Sequence, residues 1–137
     1  MITHPRPWFT SGLMAMLLFV ALHVGALSPA TAADFDKDMT AYRSGDYQAA
    51  LAEWRPLAES GHATAQYNLG VMYELGSGVA LDLVRAYVWY DLATFNGFKQ
   101  SQTRRNLMET AMSAEQITQA KALARRCRYS NYQECGD

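Results

Sequence analysis

The sequence predicts an all-α fold, with antiparallel helical hairpins stacked as a short α-solenoid. Three observations lead there. Residues 45–62, "GDYQAALAEWRPLAESGH", align with residues 81–98, "LDLVRAYVWYDLATFNGF", at an offset of 36 set by Gly61 and Gly97. Asp46 then falls on Asp82, Ala50 on Ala86 and Trp54 on Tyr90; self-similarity at such a period marks stacked supersecondary units. Second, apolar residues recur at helical spacing, as Ala86, Tyr90 and Ala93 do at i, i+4 and i+7. Third, each stretch carries its own punctuation. Asp46 and Asp82 suit the N-cap, where a carboxylate accepts from orphan amides, and Gly61 and Gly97 suit the left-handed position past a helix end.

The elements follow in order. Residues 1–32 read as a secretory signal peptide: one Arg (Arg6) and no acid near the start, the apolar run "LMAMLLFVALHVGAL", then small Ala30 and Ala32 ahead of the cleavage point. A membrane anchor is the competing reading, but a spanning helix needs ~20 apolar residues, and this run is shorter and broken by His23. Cleavage after Ala32 or Ala33 leaves no membrane insertion. Residues 33–62 form the first hairpin, with Phe35, Met39 and Tyr42 on one face of its leading helix. Residues 63–98 form the second, with Ala65, Leu69, Met72 and Tyr73 on one face. Gly70 lies mid-helix, where it costs ~1 kcal/mol against Ala, so a close helix contact that excludes a Cβ is expected there.

Residues 99–129 form a third, looser pair that departs from the repeat as a terminal cap does. Its second helix has a capping box, Ser113 with Gln116, and a hydrophobic staple of Met112 with Ile117. Ile117, Ala120, Leu123, Ala124 and Cys127 make its buried stripe, and Arg125, Arg126 and Arg128 crowd the end where cations oppose the helix dipole.

The tail, residues 130–137, holds Cys135, whose one possible partner is Cys127. Export permits a disulfide. Residues eight apart on a continuous helix sit ~12 Å from one another, and a disulfide needs Cα atoms within ~7 Å. A bond therefore requires the chain to turn back near "YSNY". Closing so short a loop contributes about 2.5 kcal/mol in the chain-entropy account. Two free thiols or half a metal site are the alternatives, and two Cys with the distant His62 do not complete a zinc site.

The pattern in residues 63–98 resembles a Sel1-like repeat, a relative of the tetratricopeptide repeat. The residues that carry the resemblance are Ala65, Leu69, Gly70, Tyr73, Gly76, Gly78, Val79, Asp82, Ala86, Trp89, Tyr90, Ala93 and Gly97. Residues 41–62 resemble the second half of a preceding unit, with a shorter turn: Gly45 runs straight into Asp46, where the second unit inserts residues 77–81. The resemblance implies a small exported bacterial member of that family, periplasmic or secreted. It further implies an interaction or adaptor module whose partner is another protein or peptide; because so few hairpins bury little surface, either a partner or self-association is expected to complete the stack. By the same analogy the first helix of each pair lines the concave face, where Thr64, Tyr67, Val71 and Glu74 project outward with Asn68 at the edge and Tyr67 as anchor.

Composition narrows the function classes. The chain's 12 basic residues become 11 without Arg6, against 13 acids, so a mature net charge of −2 argues against nucleic acid as a partner. The charge is uneven: residues 33–97 carry nine acids against four bases, and residues 98–137 carry seven bases against four acids. Nucleophile–base pairs usually need a His, and only His62 survives signal removal, at a helix start that suits a cap. No catalytic residue, cofactor or metal site is expected. The rival class is an envelope hydrolase or cell-wall-ligand binder using carboxylates, but Glu53, Glu59, Glu74 and Asp91 fall at positions that read as solvated. The loop "YELGSGVALD" looks at first like a phosphate cradle. It has no Lys or Arg, is flanked by Glu74 and Asp82, and lacks the P-loop ending, so it reads as a structural turn.

Overall fold

A computed structural model describes residues 39–136. The signal-peptide expectation, Phe35 and the acids of residues 33–38 lie outside the described residues. Helix α1 is described over residues 39–44; α2 spans Tyr47–Glu59, α3 Ala63–Leu75, α4 Leu83–Phe95, α5 Ser101–Ala111 and α6 Ala114–Tyr129. The described residues contain no strand, and none of their helices is long and apolar enough to cross a membrane.

The helix boundaries have local causes. Asp46 accepts from the Ala49 amide at 3.2 Å and Asp82 from the Arg85 amide at 3.0 Å, so both aspartates cap the helices they precede. His62 caps α3 in the same way, its Nδ1 accepting from the Ala65 amide at 3.4 Å. Ser113 and Gln116 form the reciprocal capping box that starts α6. Met112 and Ile117 both join the apolar core beside it. Gly61, Gly76 and Gly97 leave their helices with positive φ, at 89°, 66° and 99°.

Packing centres on α4. It lies against α3, α5 and α6, while α2 lies against α3. Every residue from Ala86 to Ala93 is buried, an all-round burial that a helix reaches only when neighbours cover each face. Small residues permit the approach: Ala86 and Ala93 on α4, Ala65 on α3, and Ala120 and Ala124 on α6 are at most 1% exposed. Trp54 from α2 and Leu69 and Met72 from α3 complete the core. The backbones of α5 and α6 approach α4 more closely than one another. Lys121 and Glu109, 3.1 Å apart, bridge these two helices.

Two glycines mark the closest approaches. At Gly70 a Cβ would stand 2.6 Å from the Tyr90 ring, so the ring occupies the space that a side chain would need. At Gly78, φ is 72° and a Cβ would stand 2.6 Å from the Cβ of Tyr47. Residues 77–81 thus fold tightly against the start of α2; Gln48 donates to the Gly78 carbonyl at 2.9 Å, and Val79 packs on the core.

Cys127 and Cys135 are bonded, with Cα atoms 4.6 Å apart. The chain turns back just past α6, where Asn131 and Tyr132 take φ of 53° and 67°.

Candidate functional site

A groove of about 490 Å³ runs between α1 and α3 and is closed at one side by the chain after α4. Thr64, Tyr67 and Asn68 of α3 border it, facing Met39, Thr40 and Arg43 of α1, with Phe98 at the side. Helical periodicity explains the set: Thr64, Tyr67 and Asn68 are three and four residues apart and share one face of α3. The opposite face, Ala65, Leu69 and Met72, is spent on the core.

Each wall has its own support. The Tyr67 ring lies 5.5 Å from Tyr90 and 4.9 Å from Phe98, so one edge is packed and the other faces the groove. Asn68 is buried, and its amide points at the Met39 sulfur at 3.8 Å. Arg43 is exposed and is the one charged side chain among the described residues of the lining. The walls therefore combine two aromatic rings and a thioether with one cation.

The other two residues expected on this surface serve differently. Val71 packs against the core. Glu74 is held by Arg104 at 3.0 Å and accepts from the Tyr90 hydroxyl, so its carboxylate braces α3 to α4 and α5. Met39, Thr40, Arg43 and Phe98 were not singled out for this surface. Three of them lie on α1, which the successive turns at Gly45 and Gly61 bring alongside α3.

Asp91 differs from its sequence reading more sharply. It is 9% exposed rather than solvated, and it lies between two guanidiniums: Arg105 Nη1 at 3.0 Å from one carboxylate oxygen and Arg128 Nη1 at 2.6 Å from the other. The triad ties α4 to α5 and α6. Arg128 also stacks over the Phe95 ring, 5.2 Å from its centroid. Two phenols of α4 are raised by burial and by different carboxylates. Burial, then the Asp91 and Glu109 carboxylates, push Tyr87 up to about 12. Burial, then the hydrogen bond to Glu74, drives Tyr90 further in the same direction. Both remain protonated hydroxyls at neutral pH.

A second concavity, of about 390 Å³, opens beside the loop of residues 77–81. The loop carries no cation, yet the fold brings two to it. Arg55 of α2 and Arg85 of α4 both donate to the Tyr73 hydroxyl, at 3.3 and 3.4 Å, and Arg85 also meets Asp82 at 3.5 Å. Here the guanidiniums pin the turn to α3. Among the described residues, no three His, Cys, Asp or Glu side chains gather as metal donors. Comparison of the chain with protein-family models and with curated proteins found no match to either.

Proposed function

We propose that the chain is a small exported interaction module of the Sel1-like, tetratricopeptide-related kind, and that it holds an extended peptide segment of a partner protein in the groove over Tyr67. The observation that carries this reading is the groove's wall: Tyr67 and Phe98 supply aromatic rings, Met39 an adaptable thioether and Arg43 a cation, with Thr64 and Asn68 between them. Aromatic residues, Met and Arg are the types enriched where proteins dock. The hairpins then act as a short solenoid scaffold, and the bonded Cys127 and Cys135 suit an oxidising, envelope-side compartment.

The experiment is a panning of unstructured random peptides displayed as a library, on the wild-type protein and on Thr64→Arg, with thermal melts of both. Thr64 is half-buried on the groove wall, so Arg there fills the groove while the core stays intact. Peptides that bind the wild type and lose about tenfold or more in affinity, ~1.4 kcal/mol, on an equally stable variant support the groove. Equal retention of the same pool by both proteins refutes it.

A further inference from the structure

Residues 130–136 do more than end the chain: they fold over the turn that joins α2 to α3. The Tyr132 amide donates to the Cys127 carbonyl at 2.8 Å, and its hydroxyl donates to Asn96 Oδ1 at 2.9 Å. Its ring lies on Gly61, where a Cβ would come within 3.0 Å of it. Asn96 in turn donates to Gln66 Oε1 at 2.9 Å, and the fully buried Gln66 donates to the Ala58 carbonyl at 3.0 Å. The tail is thus the outer link of a polar relay that begins in the last turn of α2.

The other ties are short-range or exposed: the Glu134 amide donates to Ser130 Oγ at 2.9 Å, Glu134 meets Arg126 at 3.9 Å, Gly136 lies against Leu123, and the Tyr132 ring packs on the edge of the core. Asn131, Gln133 and Glu134 are exposed, and Cys135 is the one buried residue among residues 130–136. Asn131 and Tyr132 are both left-handed, a conformation that residues with a Cβ leave unless they are tied. The disulfide is covalent, and the Tyr132–Asn96 bond is a single hydrogen bond in a half-buried setting. By contrast, α6 keeps its place without the disulfide, through Ala120 and Ala124 in the core and Arg128 on Asp91 at 2.6 Å.

We propose that the Cys127–Cys135 bond is a redox latch, which a dithiol reductant opens to release the tail from Gly61 and Asn96 while the helices stay folded. Both cysteines are buried, Cys127 at 0% and Cys135 at 5% exposure, so a thiolate gains access as the tail lifts and attacks the sulfur that the tail carries, Cys135. The S–S bond breaks, a mixed disulfide forms at Cys135, and the bonding pair leaves on Cys127, which takes a proton. The reductant's second thiol then resolves the mixed disulfide. Cys135 is left as a thiol and the reductant as a cyclic disulfide. The left-handed pair relaxes, and the edge formed by Gly61, Asn96 and Gln66 opens to solvent or to a partner.

Hydrogen exchange read by mass spectrometry tests this on the full chain, oxidised and after dithiothreitol, beside a Cys127→Ser, Cys135→Ser variant. The expected result is exchange faster by about tenfold or more at the Tyr132 and Glu134 amides and at the turn around Gly61, with α4 and α6 unchanged. The serine variant should show the same pattern without reductant and no further response to it. Tail amides that stay protected after reduction overturn the latch. So does loss of protection in α4 and α6 together with the tail, because the bond would then staple the whole fold.

Discussion

Replacing Gly70 with alanine sets two effects of known sign against each other. Alanine in a helix interior is favoured over glycine by ~1 kcal/mol. The added methyl, however, would stand 2.6 Å from Cδ1 and Cε1 of Tyr90 and 3.0 Å from its Cζ, and overpacking a core costs ~1–3 kcal/mol. The outcome turns on whether the ring can yield. Tyr90 is fully buried, its hydroxyl is held by Glu74, Glu74 is held by Arg104 at 3.0 Å, and Tyr67 backs the ring at 5.5 Å. The contact falls on the body of the ring rather than on a flexible tip, so the strain belongs to the upper part of its range. The expected net loss is ~1–2 kcal/mol, a fall in Tm of about 5–15 °C for a domain of this size. Thermal melts by circular dichroism and urea unfolding measure it. In a Tyr90→Leu background the near edge of the ring is gone, and the same Gly70→Ala change should stabilise by up to ~1 kcal/mol. A higher Tm for Gly70→Ala in the otherwise wild-type protein refutes the reasoning.

Asp91→Asn keeps the side chain's shape but leaves Arg105 and Arg128 facing one another without a carboxylate. Breaking a buried pair costs ~3–5 kcal/mol, and the 12–28% exposure of these side chains lowers the expected loss to ~2–3 kcal/mol, read from the urea midpoint. Alkaline pH should also destabilise the fold. The Tyr87 hydroxyl is raised in the folded state from 10.0 to about 12, so its contribution is complete below about pH 10 and is lost as pH climbs toward about 12. Tyrosinate absorbance and unfolding curves across that window should show a smaller loss for Tyr87→Phe.

Features set by neighbours in the chain were legible in the sequence. Asp46, Asp82 and Ser113 cap because a short acceptor precedes a helical run, and that chemistry spans only three residues. Gly70 was legible as a close contact because its cost demanded an explanation, and Tyr90 supplies it. The environments of Asp91 and Glu74 were not. Their cations stand 14, 37 and 30 residues further on, and spacing within α3 or α4 carries no record of α5 or α6. Of the groove, Thr64 and Tyr67 were legible from the face of α3. Asn68 was expected at an edge and is buried, because Met39 crosses over it from α1.

The burial of α4 on all sides has a consequence for how the chain reaches its structure. Leu69, Met72 and Tyr73 of α3 share one apolar core with Val88, Tyr90 and Leu92 of α4, and α5 and α6 have their main platform in the same helix. A cooperative unfolding transition is therefore expected of a domain this small. Amides of α4 should then be among the last to exchange, and a truncation that removes α4 should unfold the helices on either side of it.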